Sequence, residues 1–237
     1  LPVVISVPHA GLAVPEEVAS ISLLTPEQIE RDGDVGAKDI YRPLEKKVAA
    51  YLTTEVARAF VDLNRAERDI RADGVVKTET CWKVPIYSKP LSPHLIETLL
   101  ERYHRPYHAR LHDLARTLPV RLGIDCHTMA AEAPPISPRP GTPRPRACVS
   151  NQKGETCPDE WARAFAKALE ARLGSPVTVN DPFLGGYITK SRPGNIPWLQ
   201  LELSRAPFAT NEEKSSAVCG SILELCSTNG FDSLMER

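Results

Sequence analysis

Four short segments close on side chains that can do chemistry. ISVPHAG ends in His9, FVDLNR in Asp62, Asn64 and Arg65, GIDCHT in Asp125 and His127, and LQLELSR sets Glu202 between Leu201 and Leu203. Two imidazoles and a carboxylate drawn from separate segments are the usual ligand set of an open catalytic zinc, which takes three protein ligands and keeps a fourth position for water. A glutamate amid leucines is costly to bury in charged form without a partner, and a nearby cation relieves that cost. Each residue also has a plainer role. A lone histidine at a strand end is commonly capped or packed, and Glu202 can form a structural bridge to Arg65 or Arg205. In GIDCHT the period-two alternation of a strand puts Asp125 and His127 on one face, so that Asp125 can accept the second ring N–H of a metal-bound imidazole. Cys126 then points into packing as a small apolar residue.

The chain also sets His104, His108 and His112 four apart in HRPYHARLH. Pro106 interrupts that helical face and no carboxylate joins it, so a wet helix face is preferred there to a metal site.

These residues need a scaffold, and the hydrophobic pattern supplies one. Apolar, β-branched runs at 2–7, 56–63, 120–125, 147–151, 177–180 and 198–203 alternate with helical patterns at 35–52, 92–118, 159–173 and 211–228. That alternation predicts an α/β fold with a buried, parallel or mixed central sheet flanked by helices, and no repeat or composition break divides residues 1–237 into more than one domain. Ligands of such sheets sit at the carboxyl ends of the strands, which is where the polar residues above fall. The stretch PPISPRPGTPRPR at 134–146, with six prolines and three arginines, is neither helix nor central strand; a surface loop or active-site flap is the expectation. GGYI at 185–188 reads as a glycine turn, with Tyr187 a wall or proton donor.

The bulk numbers exclude several partners. Of 237 residues, 29 are basic and 30 acidic, so there is no basic field for nucleic acid or an anionic membrane. No apolar run is long enough to span a bilayer, and LPVVISV lacks the basic flank of a signal peptide. Six cysteines without a CxxC pair argue against a disulfide scaffold or a cysteine-held zinc. The expectation is a soluble, cytoplasmic protein acting on a small molecule, with its oligomeric state open.

Six blocks in order, VPHAG, VDLNR, YHRPYHARL, GIDCHTMA, NDPFLGGYI and LQLELSR, cover residues 7–205. Together they resemble the N-formylglutamate amidohydrolase family, which is similar in fold to zinc carboxypeptidases and to aspartoacylase, a phosphorylase/hydrolase-like α/β architecture. The resemblance implies zinc-dependent cleavage of N-formyl-L-glutamate to formate and L-glutamate, as in histidine degradation. It implies that His9 and His127 bind zinc, that Glu202 is the general base, that Arg58 polarises the scissile carbonyl, and that Asn64 and Arg65 grip the α-carboxylate. One departure stands at Leu12, where carboxypeptidase-like enzymes carry a glutamate three residues after the first histidine. The third ligand is therefore sought in RDGDVGAKDIY, where Asp34 is preferred to Asp32 because it lies closer to the helix start. The reader of the substrate's second carboxylate is left open among Lys190, Arg192, Arg205 and the arginines of 134–146, and Co, Mn or Fe can replace zinc on nitrogen and oxygen ligands. The alternatives are the same chemistry on another N-acyl amino acid or small peptide, and a binding protein docking through the 134–146 loop.

Overall fold

The aliphatic run Val3–Val7 is buried along its whole length and forms strand β1. The computed structural model describes residues 1–231. Its other strands are β2 (Ala50–Thr53), β3 (Leu122–Met129), β4 (Ala147–Ser150), β5 (Val177–Val179) and β6 (Trp198–Ser204), in the spatial order β2-β1-β3-β6-β4-β5. Strands β1, β2, β3 and β6 run parallel, whereas β4 is antiparallel to β6 and parallel to β5. The expected α/β fold with a mixed central sheet is the one observed.

Register decides what each face carries. Ile5 pairs with Ile124, Ile124 with Leu199, Cys126 with Leu201, and Val149 with Leu201. This face is apolar throughout and is covered by α2 (Ala37–Tyr41), α5 (Asp159–Leu173) and α7 (Asn211–Thr228), through Ile40, Phe165, Leu169, Val218 and Ile222. Cys126 lies on it, fully buried.

The opposite face changes character along its length. It begins apolar, with Val4 and Trp198 packed against Leu99, Leu111 and Leu114 from α3 (Pro93–Leu99) and α4 (Arg105–Thr117). Gly123 is a glycine because a Cβ there would lie 2.2 Å from the Trp198 indole. Toward the carboxyl ends the same face turns polar: Ser6 pairs with Asp125, Asp125 with Gln200, and His127 with Glu202. None of the described helices is long and apolar enough to cross a membrane.

Two expected elements differ. Residues 56–63 are not a strand, although Ala59, Phe60, Val61 and Leu63 are fully buried. They form turns that meet residues 11–13 and 76 only through single bridges, so their apolar pattern records burial rather than a ladder. The strand in this part of the chain is β2, which overlaps the end of the stretch read as a helix over 35–52. That helix ends early because Pro43 follows Arg42 and cannot continue it; a 3-10 turn at Arg42–Leu44 leads instead toward β2. The pattern at 92–118 is helical throughout, with a π-helical segment at Leu100–His104 joining α3 to α4.

Candidate metal and substrate site

Asp62 organises the first part of the site. Its Oδ1 accepts the Asn64 backbone N–H at 2.9 Å, an Asx turn that places Asn64 and Arg65 beyond it, and the same oxygen accepts from His9 Nε2 at 2.8 Å. His127 repeats the arrangement on β3: its Nε2 donates to Asp125 Oδ2 at 2.9 Å, and Asn64 Nδ2 donates to the same oxygen at 2.8 Å. Ser6 fixes the other Asp125 oxygen at 3.1 Å. Each imidazole thus gives its Nε2 proton to a buried carboxylate, and the Nδ1 lone pairs face inward.

Asp34, held before α2 by its N–H to the His9 carbonyl, completes the triangle. His9 Nδ1 and His127 Nδ1 lie 3.1 Å apart, and Asp34 Oδ2 lies 3.0 Å from His127 Nδ1 and 3.6 Å from His9 Nδ1. Three acceptor atoms at this spacing repel unless a positive charge lies between them. Tetrahedral ligation with bonds of about 2.0–2.1 Å puts ligand atoms about 3.3 Å apart, so the residues fit a small divalent cation. The carboxylates behind both rings are the support that metal-bound imidazoles require. Without a cation the same carboxylates favour a proton at this position, which a bound metal would displace. Burial alone would lower the pKa of His127, but Asp125 and Asp34 hold it well above the ordinary range; burial would raise Asp34, but the two histidines hold it well below. The group His9, Asp34 and His127 is the one set of possible metal ligands among the described residues. Asp32 does not join it. Its carboxylate is fully buried against Lys77 Nζ at 2.6 Å and the Cys81 N–H at 2.7 Å.

Glu202 stands beside His127 in the β3–β6 register, accepts one hydrogen bond from Gln200 Nε2 at 3.0 Å, and lines the cavity. Burial pushes its pKa up to about 7, against the lowering effect of His127. The cavity in front of it measures about 470 Å³, enough for a derivatised amino acid.

The other expected site residues are placed as follows. Arg58 faces the cavity with Nε on Asp62 at 3.1 Å and Nη1 on the Asp32 carbonyl at 3.2 Å. Arg65 lies 3.7 Å from Asp62 and 3.4 Å from Asp73, and its buried Nε has no hydrogen-bond acceptor among the described residues. Asn64 lines the cavity, but its amide is engaged at both ends: Nδ2 on Asp125 and Oδ1 on the Ile188 N–H, each at 2.8 Å. Arg205 is likewise engaged, its guanidinium on the carbonyls of Arg31, Gly33 and Thr128, which ties Asp34 to the end of β3. Tyr187 does not line the cavity; Gly185 and Gly186 do, and the Tyr187 ring packs on His104 and His108 at 6.2 and 5.1 Å. A Cβ on Gly186 would lie 2.2 Å from the Asn64 amide, which is why the GGYI turn carries glycine there.

His104, at the end of the π-helical segment, and His108 in α4 are not a wet face. His104 Nε2 donates to the Arg65 carbonyl and His108 Nε2 to the Leu63 carbonyl, each at 2.9 Å. Burial lowers the pKa of His108 to about 4, so it stays neutral, a hydrogen-bonding prop beneath the Asn64–Arg65 turn. His112 is exposed. The 134–146 stretch is an irregular hairpin between β3 and β4, with Pro134, Ile136, Ser137, Pro138 and Arg144 on the cavity wall.

The chain is similar to known proteins over nearly its whole length. A curated N-formylglutamate deformylase of Pseudomonas putida is 25% identical over 227 residues, covering 90% of this chain and 84% of the relative. The crystal structure of an N-formylglutamate amidohydrolase from Ralstonia eutropha superposes with a TM-score of 0.76 at 21% identity, over 98% of this chain and 93% of that one. A gene product of Agrobacterium tumefaciens shares the fold, with a TM-score of 0.71 at 16% identity over 98% and 90% of the two chains. The sequence profile described as N-formylglutamate amidohydrolase matches residues 1–209, and on that match the chain belongs to the N-formylglutamate amidohydrolase family, hydrolases that act on an amide bond.

Proposed function

We propose that this chain is a metal-dependent deformylase that hydrolyses N-formyl-L-glutamate to formate and L-glutamate, with zinc as its cation and histidine breakdown in the cytoplasm as its setting. The observation that carries the reading is the triangle of His9 Nδ1, His127 Nδ1 and Asp34 Oδ2, with Glu202 one strand away from His127. Two imidazole nitrogens and one carboxylate suit zinc, and cobalt, manganese or iron are its competitors. A divalent cation held there supplies a Lewis acid for the formyl carbonyl and makes water easier to deprotonate at neutral pH.

The protein's own groups do the rest. Glu202 takes the proton from the attacking water and delivers it to the amine nitrogen as the C–N bond breaks. Arg58, pinned by Asp62 and the Asp32 carbonyl, is a rigid donor for the oxyanion of the tetrahedral intermediate, a contribution worth about 3 kcal/mol. Arg65 offers its fork to the α-carboxylate, and its Nε, 3.7 Å from Asp62 and without a hydrogen bond among the described residues, is the atom that gains most from an anion. Asn64 and Arg205 act through other residues in this reading. Asn64 holds Asp125 against His127, and Arg205 holds Asp34 in place.

Release of formate and glutamate from N-formyl-L-glutamate, compared with its α-methyl ester and α-amide, tests both the substrate and Arg65. The parent is expected to prefer the free α-carboxylate. Arg65→Lys keeps the charge and loses the planar fork, so kcat/KM on the free acid should fall tenfold or more and the preference should narrow. A parent enzyme that leaves N-formyl-L-glutamate intact would remove the substrate assignment. A variant that discriminates as well as the parent would remove the role of Arg65.

A further inference from the structure

N-formyl-L-glutamate has two carboxylates, and the cavity has two arginines whose buried Nε makes no hydrogen bond among the described residues: Arg65 and Arg144. A buried donor on a charged group without an acceptor is rare in native proteins and usually marks a missing partner. Arg144 is the more exceptional of the two. Arg65 still has Asp62 and Asp73 within 4 Å, whereas no carboxylate or carbonyl among the described residues takes a hydrogen bond from the Arg144 guanidinium, which lies 4.9 Å from the centre of the Phe183 ring. Its backbone is nonetheless fixed, with its N–H on the Ala131 carbonyl at 2.8 Å, so the side chain is aimed into the cavity from a braced position. The competing cations are otherwise disposed. Arg205 is saturated by carbonyls, Arg71 is chelated by Asp69, and Lys190 and Arg192 lie outside the cavity lining. Arg31 lines the cavity but is exposed, over the Trp82 ring.

We propose that Arg144, presented by the proline-rich hairpin, is the specificity residue that binds the substrate's second, side-chain carboxylate, so that the site selects N-acyl amino acids that are dicarboxylates. The assignment rests on the deformylase reading for the identity of the substrate, and on the unpartnered guanidinium for the choice of residue. It also accounts for the composition of the 134–146 hairpin, whose prolines stiffen a wall that presents one working arginine to the cavity.

The test compares N-formyl-L-glutamate with its neutral isostere N-formyl-L-glutamine in the parent, in Arg144→Gln, and in Arg139→Gln as a control at an exposed position of the same hairpin. The parent should favour the charged substrate by about tenfold to a hundredfold in kcat/KM, the range of a hydrogen-bonded charge. Arg144→Gln should lose at least tenfold of that ratio, chiefly through KM, and Arg139→Gln should keep it. Glutarate binding, followed by calorimetry in the metal-loaded protein, separates this inference from the functional reading. If the parent cleaves neither substrate, the deformylase reading falls, yet weaker glutarate binding by Arg144→Gln would still support the anion subsite. Should Arg144→Gln fold poorly, Arg144→Lys, which keeps the charge without the fork, should show a partial loss of the same ratio. An unchanged substrate ratio, or unchanged glutarate affinity where neither substrate turns over, would overturn the role of Arg144.

Discussion

Glu202→Gln is expected to lower kcat by at least 10², within the 10²–10⁴ typical of a general acid–base group, while substrate affinity stays within a few-fold of the parent. The substitution is close to silent structurally. A glutamine keeps the shape, and its carbonyl oxygen can still accept from Gln200 Nε2, the hydrogen bond that fixes the carboxylate. What it removes is the ability to take a proton. The pH profile carries the same information. A base must be deprotonated to act, so kcat/KM should rise with pH through an acid limb. Burial raises Glu202 to about 7, and a neighbouring divalent cation favours the carboxylate, so that limb should fall at or below this value. In Glu202→Gln the limb should vanish along with the rate. Near-parental turnover would show that another group moves the proton.

His9→Ala should lose its cation and its activity together, with kcat/KM reduced by about 10³ or more, a fall like that seen when a principal catalytic interaction is removed. The fold should survive. Asp62 retains Arg58 at 3.1 Å and Arg65 at 3.7 Å, and His9 belongs to neither apolar core cluster. His9 is a cleaner test than His127, whose removal leaves Asp125 buried without its imidazole. The two aspartates near α1 (Pro26–Asp32) and α2 separate metal binding from stability in the same assay. Asp34→Asn should weaken metal retention. Asp32→Asn should instead lower the melting temperature, because it leaves Lys77 buried opposite an uncharged group, and breaking a buried pair costs about 3–5 kcal/mol. Full metal content in His9→Ala, measured by elemental analysis, would show that its Nδ1 is not a ligand.

Much of this site is legible in the sequence because its chemistry is written in strand periodicity. Asp125 and His127, two apart on a strand, have to share a face, and Glu202 among leucines has to be compensated. The ambiguities are of another kind. Whether Asp32 or Asp34 faces the histidines depends on Lys77, 45 residues away, which neutralises the one and leaves the other. Asn64 and Arg205 are the right types to grip a carboxylate, yet their donors are taken up by Asp125 and by backbone carbonyls; such saturation is a three-dimensional fact with no local pattern. His104 and His108 escape notice because imidazoles four apart on a helix resemble a solvated face, and the carbonyls they hold lie some 40 residues earlier. In the fold, the buried turn at 56–63 and the short strand β2 exchange roles, since burial alone does not distinguish a ladder from a packed turn.

One measurement bears most directly on the whole. The purified protein is stripped of metal with a chelator, and formate release from N-formyl-L-glutamate is followed as zinc is added back, in the parent and in His9→Ala. The expected result is loss of activity on stripping, recovery that saturates near one equivalent of cation in the parent, and no recovery at that dose in the variant. Full formate release by metal-free protein would contradict the metal-dependent site built from His9, Asp34 and His127.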